Sequence, residues 1–165
     1  MTAIEPRAGA VPRFEWRRAK VRQVIVETSS VKSLLLQVNG WQEHLPGQHV
    51  DIRLTAEDGY QAQRSYSIAS PPEDEFVTLT VERVENGEVS PYLVEELRSG
   101  DQFELRGPIG GYFVWTIAIG GPLCLISAGS GIAPFMAMLR HRDRRNSRVP
   151  TVLLYSSRSL EDAIY

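Results

Sequence analysis

Residues 62–70 read Ala62-Gln63-Arg64-Ser65-Tyr66-Ser67-Ile68-Ala69-Ser70. The stretch has the alternation of a strand, with Arg64, Tyr66 and Ile68 on one face and Ser65, Ser67 and Ala69 on the other. A cation, a phenol and small hydroxyls are thereby clustered within a few residues. That set suits a ligand with an anionic end, a polyol and a flat ring, and a flavin nucleotide has all three. Taken alone, the stretch reads better as an exposed antiparallel strand with ordinary polar decoration.

Similar short β-rich runs surround it: Trp16–Glu27, Val31–Val38, His49–Leu54 and Phe76–Val84. Gly40, Pro46-Gly47, Asp58-Gly59 and Pro71-Pro72 punctuate them. Val77, Leu79 and Val81 alternate with Thr78, Thr80 and Glu82, the pattern of a half-buried strand. Strands this short and this regularly spaced predict a sandwich or small barrel. After a turn at Glu85-Asn86-Gly87, a helix is expected from Ser90, with Pro91 at its first position and Gly100 beyond its end. Asp101–Arg106 returns as a sixth strand. Met1 to Arg13, with Pro6, Gly9 and Pro12, reads as a loose tail.

The pattern changes at Gly120-Gly121-Pro122. Leu123–Ser127 is a continuous apolar run, as in a strand buried on both faces. Gly129-Ser130-Gly131-Ile132-Ala133-Pro134 follows and opens an apolar helix through Leu139. Two glycines there let backbone amides approach a pyrophosphate at the helix start, although Pro134 stands where a Rossmann turn has its last glycine. An ordinary strand–helix turn is the plainer alternative. Thr151–Tyr155 is a second apolar strand, and Ser159 is placed to cap another helix. This is β-α-β, the beginning of a doubly wound sheet.

In their order and spacing, Arg64-Ser65-Tyr66-Ser67, Arg106-Gly107-Pro108-Ile109-Gly110-Gly111-Tyr112-Phe113 and Leu123–Phe135 resemble the ferredoxin–NADP reductase superfamily. The resemblance runs from about Trp16 to Tyr165. It implies an antiparallel six-stranded flavin-binding β-barrel with one helix, followed by a partial doubly wound α/β nicotinamide-binding domain. The corresponding boundaries are a tail at 1–13, an FAD-binding domain at 14–116 and an incomplete NAD(P)-binding domain at 117–165.

The resemblance also implies roles. Arg64 would pair with a flavin phosphate. Tyr66 would stack on the ring and bond the ribityl chain, and Ser67 would approach N5, so that Ser67 and Tyr66 are the catalytic candidates. Ser65 completes that strand segment. Gly87, Val89 and Ser90 would seat the pyrophosphate, and the loop around Ser70–Glu75 would flank an adenosine. Gly110 would let nicotinamide and flavin approach. Gly129, Ser130, Gly131, Ile132 and Pro134 would hold the nicotinamide dinucleotide. Ser157 and Arg158, where NAD-selective sites carry an acid, favour a 2′-phosphate and hence NADPH over NADH. Arg158 could equally pair with Glu161 or Asp162.

The implied activity is hydride transfer from NAD(P)H to FAD, with electrons passed on to a protein or small acceptor. Relatives continue with further strands and helices, so the alternatives are a shortened, non-catalytic flavin-binding or interaction module, and an empty binding module. An incomplete sheet would expose apolar side chains among Leu123, Leu125, Ile126, Val152, Leu153 and Leu154, and favour association.

Composition narrows the classes further. The 165 residues are 42% hydrophobic and 23% charged, with net charge −2. Nothing in that balance points to nucleic acid or a membrane surface. Cys124 is the only cysteine, which excludes an intrachain disulfide and a cysteine-ligated cluster, and it reads as a small core residue. His44, His49 and His141 form no metal-ligand pattern. The run Arg140-His141-Arg142-Asp143-Arg144-Arg145 reads as the solvated end of a helix, with an adenosine phosphate or acidic partner as the alternative. No stretch is long enough to span a membrane, and the expected compartment is the cytoplasm.

Overall fold

The computed structural model describes residues 15–165; the expected tail at 1–13 lies outside the described residues. The first part of the chain forms strands β1 (Arg17–Val26), β2 (Val31–Val38), β3 (His49–Thr55), β4 (Gln61–Ser67), β5 (Val77–Glu82) and β6 (Gln102–Ile109). They make one antiparallel sheet in the order β4-β3-β6-β1-β2-β5. Alternation drives its core. Ala19, Val21, Leu34, Leu36, Val50, Ile52, Leu79, Val81 and Leu105 turn inward and are buried.

The barrel expectation is corrected: the sheet does not close. Closure would require β4 and β5 to pair along their length, and they meet only at a single bridge, Ile68 with Leu79. Beyond it the chain turns away. Ala69 N–H donates to Thr78 O at 2.8 Å, but Thr78 N–H donates to the Ser70 side chain at 2.9 Å rather than to a backbone carbonyl. Pro71 and Pro72 follow with no amide to offer a ladder.

The gap beside β5 is covered by a short π-helical segment, Tyr92–Glu96, entered through Ser90 and Pro91. Leu93, Val94 and Leu97 bury against the core. Ser90 does not cap this segment. Its hydroxyl instead accepts Val84 N–H at 3.0 Å and closes the loop between β5 and the helical turn.

The second part contains β7 (Leu123–Ala128), a 3-10 turn at Gly129–Ile132, helix α1 (Ala133–Arg144) and β8 (Thr151–Ser156). β7 and β8 are parallel and in register from Leu123–Thr151 to Ala128–Ser156. The helix expected after Ser159 is absent; Ser159 Oγ accepts Asp162 N–H at 3.3 Å in a local turn. One face of this sheet is packed: Leu125 is buried and Leu123 and Leu153 lie against Met138 and Val149. The other is bare, with Ile126, Val152 and Leu154 each more than 60% exposed: 67%, 65% and 63%. Cys124 lies on the bare face and is exposed, so it is not a core residue.

The basic run at the end of α1 is partly engaged by protein, although Arg144 and Arg145 remain about half exposed, 59% and 49%. Arg140 donates to Ala69 O at 2.9 Å. His141 and Arg145 both bond Glu73, at 2.8 and 2.5 Å, and Arg144 pairs with Asp74 at 2.8 Å. Helix α1 thus grips the Ala69–Asp74 loop. Burial pushes the Glu73 carboxyl up, but bonds from Arg145 and His141 outweigh it and hold it below the usual range. Among the described residues no helix is long and apolar enough to cross a membrane.

Candidate functional site

Two clefts flank the end of β5. The first, about 400 Å³, lies between Arg64, Ser65 and Tyr66 on β4 and the loop from Val84 to Ser90. It falls within the size range of small-molecule sites. Register explains the strand side. Arg64 pairs across from Ile52 and Tyr66 from Val50, and Tyr66 packs against the core while remaining half-exposed. Burial pushes its phenol up to about 12, offset in part by the Arg64 charge. At neutral pH Tyr66 is a hydrogen-bond donor and not a base.

Arg64 lies on the core-facing side of β4, across from Ile52, and its side chain reaches solvent at the sheet edge. Its guanidinium meets Glu88 at 3.2 Å and Gln63 O at 2.6 Å. Glu88 also accepts a hydrogen bond from the Tyr60 hydroxyl. A carboxylate from the loop therefore sits where Arg64 would meet an anion. The loop side is shaped by Gly87, where a Cβ would lie 3.1 Å from both Ser90 Oγ and Val84 O. Val89 and Ser90 are buried.

Ser65 differs from its neighbours. Its hydroxyl donates to Asp51 Oδ1 at 2.5 Å, and Asp51 in turn pairs with Arg106 at 2.9 Å. Ser65 therefore belongs to the outer face of the sheet. Ser67 is half-buried, and among the described residues none hydrogen-bonds its hydroxyl. Ser67, His49 and Ile109 lie in one row across β4, β3 and β6. Gly110 is next in the chain, held by Gln48 Nε2 donating to its carbonyl at 2.7 Å. A Cβ on Gly110 would lie 3.5 Å from the His49 ring.

The second cleft, about 600 Å³, opens at the carboxyl ends of β7 and β8. Ala128, Gly129, Ser130, Ser156, Ser157 and Arg158 line it, facing Thr28, Ser30 and Glu82 from the large sheet. Crevices at the carboxyl ends of parallel strands are the usual ligand position in open α/β sheets. Gly129 adopts φ +51, a left-handed conformation that lets the chain leave β7 at once. Ile132 is buried behind the turn, and Pro134 stands in the first turn of α1. Ser157 Oγ donates to Ser159 O at 2.8 Å. Arg158 is 3.5 Å from Asp162 and largely exposed.

Glu82 lines both clefts. It accepts the Ser130 hydroxyl at 2.7 Å. Sequence reading missed it, along with Glu88 and Tyr60. Glu82 is simply the polar member of an alternating strand, and only the return of α1 beside β5 gives it a second neighbour. Glu88 stands inside the Gly87–Ser90 segment, which was the one available signal.

One further histidine is structural. His44 is buried, accepts the Trp41 indole N–H at 3.3 Å and places Nε2 2.9 Å from Ser70 O. That pattern fixes a neutral ring, and burial lowers its pKa below 6.5 despite the Ser70 bond. Among the described residues no cluster of His, Cys, Asp and Glu could hold a metal.

With this geometry in hand, the chain can be compared with known proteins. Residues 18–114 match the family model described as oxidoreductase FAD-binding domain. The glycine betaine monooxygenase reductase subunit of Pseudomonas aeruginosa is 36% identical over 124 residues, covering 73% of this chain and 32% of that protein. The ferredoxin–NAD(P)(+) reductase component of a naphthalene 1,2-dioxygenase system from Pseudomonas putida is 29% identical, covering 97% and 48%. Among solved structures, the flavohem-like FAD/NAD binding domain of nitric oxide dioxygenase from Vibrio cholerae superposes with TM-score 0.80 at 29% identity, over 90% of this chain and 65% of that one. A ferredoxin reductase of carbazole 1,9a-dioxygenase gives TM-score 0.79 at 30% identity, over 95% and 46%. The chain thus spans between 32% and 48% of these two curated relatives.

Proposed function

We propose, because the chain belongs to the oxidoreductase FAD-binding domain family, that it passes electrons from NAD(P)H through FAD to a protein or small acceptor. The observation that carries this reading is the pair of clefts sharing the end of β5, one lined by a cation and a phenol, the other by a glycine turn. The flavin, when bound, supplies an acceptor for hydride and a donor of single electrons.

The residues have separate tasks in this reading. Arg64 forms the forked ion pair to a flavin phosphate, displacing Glu88. Tyr66, protonated, donates to the ribityl chain and packs its ring on the flavin. Ser67 offers its hydroxyl at N5, in the row that leads to Gly110. Gly87 and Val89 present backbone to the pyrophosphate, and buried Ser90 keeps their loop closed rather than touching phosphate itself. Gly129, Ser130, Gly131, Ile132 and Pro134 form the turn that receives the dinucleotide, with Ser157 and Arg158 at its adenosine end. Arg158 must leave Asp162 to meet a 2′-phosphate, so a preference for NADPH is small. The two domains divide near 116–117, and a cytoplasmic setting belongs to the same reading.

Anaerobic addition of NADPH or NADH to flavin-loaded protein tests it. Loss of the oxidised flavin bands within the mixing time or over seconds is expected. A spectrum unchanged over hours would favour the second reading, a flavin-holding module without nicotinamide reduction. One observation supports that alternative: the bare apolar face formed by Ile126, Val152 and Leu154.

A further inference from the structure

Glu82 is the residue that lines both clefts. Its carboxylate lies at the end of β5, bonded to the Ser130 hydroxyl at 2.7 Å and 3.9 Å from where a Cβ on Gly129 would stand. Among the described residues it has no ion pair. Of the other charged side chains lining the two clefts, Arg64 pairs with Glu88 and Arg158 with Asp162, while Glu85, like Glu82, has no ion pair among the described residues. Glu82 is therefore a carboxylate without a cationic partner, beside a turn suited to a diphosphate, and no described side chain balances its charge.

A ligand can balance it. A dinucleotide that lies along the second cleft and reaches the first must pass its nicotinamide end by Glu82. The reduced ring is neutral. Hydride transfer breaks the ring's C4–H bond and forms N5–H on the flavin, the electron pair moving with the hydrogen. The ring is left with one positive charge, and the flavin's new negative charge is neutralised by a solvent proton. Charge therefore develops beside the carboxylate only as the reaction proceeds, the situation in which a fixed charge assists chemistry rather than binding alone.

We infer that Glu82 is a charge-selecting residue for the nicotinamide: it favours the oxidised, cationic ring over the reduced, neutral one. This rests on the reading of the Gly129–Pro134 turn as the dinucleotide site. Repulsion between Glu82 and the diphosphate acts on both redox forms alike, so it cancels in the ratio of their affinities.

That ratio is the test. Oxidised, flavin-loaded protein is titrated calorimetrically with NADP+ and with tetrahydro-NADPH, a neutral-ring analogue that cannot donate hydride. The pair NAD+ and tetrahydro-NADH is run in parallel. The wild type is expected to favour the cationic ring. Glu82→Gln should lower that preference about 3- to 10-fold, the effect of one unit charge several ångströms away in a partly solvated cleft. Glu82→Asp, which keeps the charge, should retain most of the preference, and Ser130→Ala should shift both affinities together.

Binding in the wild type with the same ratio in Glu82→Gln would overturn the inference while leaving the dinucleotide site intact. Equal tightening of both forms in Glu82→Gln would overturn it as well, by assigning the charge to the diphosphate. No binding of any of the four compounds would overturn the dinucleotide reading itself, and the inference with it.

Discussion

The large sheet is built from alternating strands and the small one from continuous apolar runs, and they end in different states. In the large sheet every inward residue from Ala19 to Leu105 finds partners from several strands, and Leu34, Ile52, Leu79 and Val81 are 0% exposed. In the small sheet Leu125 is covered by α1 while Ile126, one position along the same strand, is 67% exposed. A strand that is apolar on both faces needs cover on both. Here β7 and β8 have it on one. The first region is a self-sufficient core, and the second depends on what it leans against.

That contrast predicts a wide gap in hydrogen-exchange protection. Amides of β1, β2, β3 and β6 should exchange only with global unfolding, and those of β7 and β8 by local opening several orders of magnitude faster. Equal protection in the two sheets would break the comparison. Core truncation should follow the same division. Ile52→Ala or Leu79→Ala is expected to cost about 2–5 kcal/mol, read by urea unfolding. Ile126→Ser should change stability by less than about 0.5 kcal/mol while reducing self-association in light scattering. A strictly monomeric wild type would show that the bare face has no such consequence.

The alternation that buries Val77, Leu79 and Val81 was plain in the sequence, and so were all six strands of the large sheet, the β7–α1–β8 unit and the glycine turn. The open edge was not. It depends on Ser70 taking the Thr78 amide and on Pro71-Pro72, whereas the strand pattern alone is the same for a closed barrel and an open sheet. The end of α1 is solvated at Arg144 and Arg145, as read, but their acidic partners, Glu73 and Asp74, could not be seen because they are about seventy residues away in the chain. Ser90 reads as a cap because it precedes a proline, but its hydroxyl instead closes the loop onto Val84, which cannot be seen without the turn. Of the site, Arg64, Tyr66 and Gly87 line one cleft and Gly129, Ser130, Ser157 and Arg158 the other, while Ser65 faces Asp51 on the outer side.

Two groups, His44 within the first region and Glu73 at its contact with α1, give the fold a pH signature. His44 is held neutral in the fold, with its pKa below 6.5, so its contribution is complete above about pH 6.5 and is lost as pH falls through the lowered value. Glu73 is held below 4.5, so its pairing with Arg145 and His141 persists to lower pH and is lost only as pH falls through its own lowered value. Urea midpoints should therefore fall in two stages on acidification. His44→Gln should remove the first and leave the second. A midpoint that rises between pH 7 and pH 5 would contradict the His44 assignment.

A smaller effect is expected at the mouth of the first cleft. Glu88→Gln removes the carboxylate that competes for Arg64, and flavin affinity should rise, by no more than about 5-fold because the pair is exposed and solvent-screened. Weaker retention in that variant would mean that Glu88 helps to hold the flavin.

The central claim is that the cleft between Arg64–Tyr66 and the Val84–Ser90 loop holds the flavin. Its most direct test is the flavin content of purified wild type and Arg64→Ala, read from the absorbance ratio and the mass of the cofactor released by heat. The account predicts FAD in the wild type and a several-fold loss in Arg64→Ala, since a forked, charge-assisted contact to phosphate is removed. Undiminished flavin in the variant, or FMN as the only flavin in the wild type, would contradict it.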